Sequence, residues 1–166
     1  MKSALCLFLF ILLFSFPVHA ATYRVVAVAD GDTLTVEPLG GGNRSKVRLH
    51  GVDAPEVRQP YGQAAKTFTA NTVLYKTVTV HPSSQGTDRY GRIVGVVEIP
   101  GGDVLQELLL DAGLAWVWPR YCKNCTEWEA IQSKAKAQKK GLWADKGPQE
   151  PWEWRSTNRA RSTKRD

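Results

Sequence analysis

Asp32-Thr33-Leu34-Thr35-Val36, then a glycine turn at Gly40-Gly41-Gly42-Asn43, then Lys46-Val47-Arg48-Leu49-His50 decide the fold class of this 166-residue chain. Both runs alternate with a period of two, which marks a half-buried strand rather than a helix. In the second run Val47 and Leu49 share one face, and Lys46, Arg48 and His50 share the other. Outward from this pair, residues 23–29 are valine-rich, and residues 77–81 and 92–99 are again strand-like. Residues 61–74 interrupt the β region with a helical pattern whose inward stripe is Ala65, Phe68 and Thr72.

After Pro100 the pattern turns helical. Asp103 is placed to cap a helix with Val104, Leu105, Leu108, Leu109 and Ala112 inward and Gly113 at its end. The last helix opens on Thr126-Glu127-Trp128-Glu129, with the spacing of a capping box, and carries Trp128, Ile131, Ala135 and Leu142 until Gly141 stops it. These patterns predict an α+β domain, for which a five-stranded, partly open barrel is a natural home. Residues 151–166 hold Trp152 and Trp154 and then a basic stretch, read as a mobile tail from residue 155 onward.

The N-terminus reads as a leader. Lys2 precedes an apolar run over residues 4–16, and Val18-His19-Ala20 has the small-residue pattern of a signal peptidase site. The run is short for a membrane anchor, which needs roughly 17–25 apolar residues. The expected organisation is therefore a signal peptide at 1–20, one domain at 21–150 and a tail at 151–166, in a protein that is secreted or periplasmic. Loss of Lys2 leaves 21 basic against 16 acidic residues, a net +5. A basic exported protein is steered toward polyanions, though part of the excess sits at residues 134–140 and in the tail. Cys122 and Cys125 stand as C-x-x-C in an oxidising compartment, which favours a local disulfide over zinc, haem or redox chemistry.

The chemistry-bearing residues cluster between 30 and 92: Asp30-Gly31-Asp32-Thr33, Arg48, Asp53-Ala54-Pro55-Glu56 and Asp88-Arg89-Tyr90-Gly91-Arg92. Carboxylates that suit a hard cation alternate with arginines whose planar fork suits phosphoryl oxygens. Asp30 alone reads as a hairpin-turn residue. Asp32 shares parity with Leu34 and Val36, at the rim of an inward row where a carboxylate needs a cation or an arginine as partner. Pro55 stiffens the segment that holds Asp53 and Glu56. A non-catalytic nucleic-acid-binding barrel and an anionic-polysaccharide binder are the rival readings. The first gives Glu56 no role, and the second leaves Arg48 and Arg92 unexplained.

Taken in order, these segments, with Tyr61-Gly62, Gly113-Leu114-Ala115 and Gly141-Leu142-Trp143, resemble the staphylococcal nuclease (thermonuclease) family over about residues 24–145. The resemblance implies an OB-type five-stranded barrel with three helices. It also implies a Ca2+-dependent phosphodiesterase that cuts DNA and RNA to 3′-phosphate ends. By position, Asp32, Asp53 and the Ala54 carbonyl are then metal ligands, and Glu56 is the general base. Arg48 and Arg92 are the arginines of the scissile phosphate, while Arg89, Tyr90 and Tyr121 contact the rest of the nucleotide. A monomer is expected. The chain departs from the family in a short loop over residues 57–60, in Pro119, which replaces a tyrosine, and in its two cysteines.

Overall fold

The computed structural model describes residues 20–162; the expected leader, Ala20 apart, lies outside them. Five strands close into a barrel: β1 (Ala21–Val28), β2 (Thr33–Pro38), β3 (Ser45–Leu49), β5 (Thr77–Thr87) and β6 (Ile93–Glu98), in the order β1-β2-β3-β6-β5. A short ribbon pairs β4 (Val52–Asp53) with β7 (Trp116–Val117). The β1–β2 and β2–β3 pairs are antiparallel, with Thr33 opposite Arg48 and Leu34 opposite Val47. The β3–β6 pair is parallel, Arg48 opposite Val94, and this long crossover is what closes the barrel. Val25, Leu34, Val36, Val47, Leu49, Val78, Val80 and Val97 fill the interior, as the period-two pattern requires.

The helices differ from expectation in number and in their caps. The described residues hold four, not three: α1 (Gly62–Val73), α2 (Leu105–Asp111), α3 (Thr126–Ala137) and α4 (Pro151–Ser162). Of the segment expected to be mobile from residue 155, residues 155–162 belong to α4, which Pro151 opens with a φ already suited to the first turn of a helix, and the last four positions lie outside the described residues. Neither Asp103 nor Thr126 caps by side chain; Val104 and Cys125 hold those positions, with no side-chain cap bond. Nor does Gly141 end α3: it closes at Ala137, with Lys139 left-handed and Lys140 N–H donating to Ala135 O. On α1 Ala65 is buried as expected, with Thr69 and Val73 on the same face, whereas Phe68 packs against the core only partly buried and Thr72 is partly exposed.

Three polar residues fix the frame of the site. Gln106, fully buried on α2, accepts from Val97 N–H and donates to Gly95 O, so it stitches the helix to β6. Thr69 Oγ1 on α1 donates to Gly31 O at 2.7 Å, pinning the β1–β2 turn. Gln59 Nε2 donates to Gln149 O at 2.6 Å, tying the loop after β4 to the approach to α4. Gly31 must be glycine for space: a Cβ there would lie 2.6 Å from the Ala54 methyl and 2.8 Å from that of Ala65. Neither methyl can swing aside. Gly31→Ala is therefore expected to destabilise the fold by about 1–3 kcal/mol, read as a lower urea midpoint; an unchanged midpoint would show that the turn is not packed this closely.

Candidate active site

The β1–β2 turn, the end of β3 and the β4 segment meet at one rim of the barrel. Asp32 closes the turn, with its backbone N–H donating to Asp30 Oδ1 at 3.0 Å. Its own carboxylate accepts from Thr33 Oγ1 at 3.2 Å and from Ala54 N–H at 2.7 Å. That last bond joins residues 22 apart in sequence and sets the turn against the Asp53–Glu56 segment. Asp53 is held in place by β4 pairing with Trp116 on β7, and it is fully buried.

Arg48 lies between the two aspartates. Nη2 is 2.9 Å from Asp53 Oδ1 and 3.2 Å from Asp32 Oδ2, while Nη1 donates to Leu49 O and Val52 O at 2.8 and 2.9 Å. The guanidinium thus cross-braces the β3–β4 turn at Gly51 as well as neutralising the carboxylates. Its terminal nitrogens are both engaged, and Nε is the donor left for a phosphoryl oxygen. Periodicity places Arg48 on a solvent-facing strand position, but it is buried, because the barrel rim and the β4–β7 ribbon cover that face.

A cleft of about 620 Å³ opens above this floor; Glu56, Arg89, Tyr90, Arg92, Trp118 and Tyr121 are among its lining residues. Arg92 is steered by Asp88: its Nε donates to Asp88 Oδ2 at 2.7 Å, which leaves both terminal nitrogens to meet an anion. Burial pushes Asp88 up, yet Arg92 and the Tyr90 N–H together hold its carboxyl below the usual range. Arg89 donates to the Tyr90 hydroxyl at 2.7 Å and lies over its ring. Tyr121 meets the edge of Trp118 with centroids 4.5 Å apart. Behind this wall Cys122 and Cys125 are joined as a disulfide, with Cα atoms 5.5 Å apart. Gly51, at φ 73°, packs against it.

The sequence reading missed Arg155. From α4 it reaches across the cleft to Asp53 Oδ2 at 2.6 Å, Asp53 Oδ1 at 3.1 Å and Glu56 Oε1 at 2.8 Å. It also lies over the Trp118 ring, 5.4 Å from the centroid, while Trp152 runs parallel to Trp118. The signal is present: Trp152, Arg155 and Arg159 recur at helical spacing behind Pro151, on a segment whose basic composition reads as a mobile tail.

At its floor the cleft holds more acid than base, although six arginines against five acids line it as a whole. Asp30, Asp32, Asp53 and Glu56 share one cleft with Arg48 and Arg155 at its floor. Burial, reinforced by the Asp32 charge, pushes Asp30 up to about 7. Burial likewise raises Asp53 to about 6, against the lowering pull of Arg155 and Arg48. Burial and Arg48 also lower the His50 pKa, so its imidazole is neutral at pH 7. An all-oxygen set with surplus buried negative charge fits a hard divalent cation. Asp32, Asp53 and the Ala54 carbonyl are the groups that could hold one. Among the described residues no cluster of three or more His, Cys, Asp or Glu forms a metal site by itself, so these groups require further oxygens from substrate or solvent.

An acid-floored, arginine-rimmed cleft on a closed OB-type barrel defines a hydrolase of the nuclease class. Comparison with known proteins agrees. Residues 46–145 match the family model described as staphylococcal nuclease homologue. An Escherichia coli protein named uncharacterized endonuclease is 40% identical over 157 residues, which covers 93% of this chain and 98% of that protein. A Haemophilus influenzae protein of the same name is 41% identical over 135 residues, 81% of this chain and 72% of its own length. A micrococcal nuclease of Shigella flexneri is 34% identical over 145 residues, 82% of this chain and 81% of that one. The chain belongs to the family of staphylococcal nuclease homologues.

A carboxyl raised by burial weakens the fold when it ionises. The folded state keeps the Asp30 proton up to about pH 7, whereas the unfolded chain releases it near the ordinary 3.8, so stability falls as pH rises through that window. Asp30→Asn retains the Oδ1 acceptor for Asp32 N–H and removes the titration. In chelator the variant should therefore gain on the wild type between pH 5 and pH 8 in urea unfolding. An equal difference at both pH values would contradict the burial of Asp30.

Proposed function

We propose that this chain is an exported nuclease that hydrolyses DNA and RNA to 3′-phosphate ends with the aid of calcium. The observation that carries the reading is the division of the acids: Asp32 and Asp53 lie buried at the floor, while Glu56 lies half-exposed in the cleft that Arg92 also lines. A binding barrel has no use for a carboxylate placed against a phosphate. The names of the relatives, endonuclease and micrococcal nuclease, support the same substrate class.

Asp32, Asp53 and the Ala54 carbonyl would hold the cation, which when bound supplies positive charge to a phosphoryl oxygen. Glu56 accepts a proton from the attacking water as its oxygen forms a bond to phosphorus. The bond from phosphorus to the 5′ oxygen breaks, and that oxygen leaves with a proton from solvent. The terminal nitrogens of Arg92 and the Nε of Arg48 stabilise charge that grows on the phosphoryl oxygens. Tyr121 and Tyr90 offer ring faces and hydroxyls to the nucleotide. Export is supported by the leader pattern of residues 1–20, and a chain of this size can act as a monomer. Among the described residues no helix is long and apolar enough to cross a membrane.

The test is digestion of plasmid and single-stranded DNA by residues 21–166, with calcium and with chelator. Chelator should abolish cutting, and Glu56→Gln should slow it by about 10²–10⁴-fold while the fold is kept. A wild type that binds DNA but cuts it with no divalent ion would establish the binding-module reading instead.

A further inference from the structure

Arg155 holds the carboxylates that the preceding reading gives to the cation and the water. Its two terminal nitrogens cover both oxygens of Asp53, and one of them also takes Glu56 Oε1. Arg48 already shares Asp53 Oδ1, and Arg155 covers the remaining Asp53 oxygen together with Glu56, so a divalent cation that seeks the same lone pairs must compete with Arg155 for them. The ion pair lies at the cleft, with the Arg155 side chain 32% exposed, so solvent can replace its partners when it leaves. Elsewhere on α4, Arg159 and Ala160 have partners of their own, and contacts toward the domain lie at the helix's N-terminal end. Pro151 is buried, Trp152 lies parallel to Trp118 at 6.1 Å, and the Gln149 carbonyl accepts from Gln59. Among the described residues no barrel strand makes extended contact with the helix, and Ser156 to Ala160 are exposed. Gly147, at φ 74°, lies in the connection that leads to it.

We propose that α4 is a displaceable strap: Arg155 closes the candidate cation site by occupying Asp53 and Glu56, and it withdraws when a divalent cation binds. The inference rests on the metal-holding role given above to Asp53. In the closed state Glu56 is paired with Arg155 and the cation's place is taken, so cutting requires the strap to open. Cation affinity is then reduced by the fraction of molecules in which the strap is open. The displaced guanidinium stays tethered beside the cleft, where Arg159 also lies.

The experiment is calorimetric titration of calcium into residues 21–166, without nucleic acid, for wild type, Arg155→Gln, Arg155→Lys and Lys139→Gln. Arg155→Gln should bind calcium about tenfold or more tighter, as expected if the open form is a minor state. Arg155→Lys, which keeps the charge and loses the fork, should fall between it and wild type. Lys139→Gln, a charge loss remote from the cleft, should remain within about twofold of wild type. In wild type, calcium should also speed tryptic cleavage after Arg155 and Arg159. Equal or weaker calcium binding by Arg155→Gln would overturn the strap. If neither wild type nor variant binds calcium at about 10 mM, far above the range of weak extracellular sites, the metal reading itself fails and the strap falls with it.

Discussion

The Arg48 guanidinium, wedged between the buried carboxylates of Asp32 and Asp53, is the contact on which the rest of this structure depends. Two acids at the rim of an apolar barrel would each be costly to ionise alone, and a cation between them makes the pair tolerable. The arrangement also has a mechanical effect. Arg48 reaches Leu49 O and Val52 O as well, so one side chain fixes β3, the turn at Gly51 and β4 together. Removing it would leave unpaired charge and loosen the segment that carries Asp53 and Glu56.

Around this contact the scaffold converges from three directions. Thr69 on α1 holds the β1–β2 turn, Asp32 accepts from Ala54 N–H, and β7 pairs with β4. Each is a polar bond across distant sequence, made inside or at the edge of the core, where low dielectric strengthens it. The cleft is consequently rigid at its floor, where two aspartates must keep their spacing. It is softer at its mouth, where Tyr90 and Arg89 lie on an exposed loop and α4 reaches over. Surplus negative charge at the floor lowers the stability of the metal-free fold and gives a divalent cation a reason to bind. Arg155 meets the same surplus from within the chain.

Much of this was legible in the residues, because period-two alternation and glycine turns report strands directly. Residues 33–36 and 46–49 of the two runs lie in β2 and β3, with Leu34, Val36, Val47 and Leu49 inward as read and Asp32 and His50 just outside the strands, and the acid–arginine cluster does gather in one cleft. Closure of the barrel was not legible: the parallel β3–β6 pairing is a tertiary choice that local pattern does not encode. Side-chain caps at Asp103 and Thr126 failed because neighbouring residues already occupy the cap positions. Arg48 read as a fork open to phosphate, yet four contacts within the fold engage its terminal nitrogens. Arg155 escaped notice because its partners lie about a hundred positions earlier in the chain, and a basic stretch at a terminus ordinarily means solvated surface.

The central claim, that the Arg48–Asp53 pair couples fold and site, is tested most directly by a double-mutant cycle on stability. Urea unfolding in chelator of wild type, Arg48→Met, Asp53→Asn and the double variant yields the coupling energy. A buried pair that braces the site predicts coupling of about 2 kcal/mol or more, with the double variant less damaged than the two single losses together imply. Additivity within about 0.5 kcal/mol would show that the two residues act independently and would contradict the account.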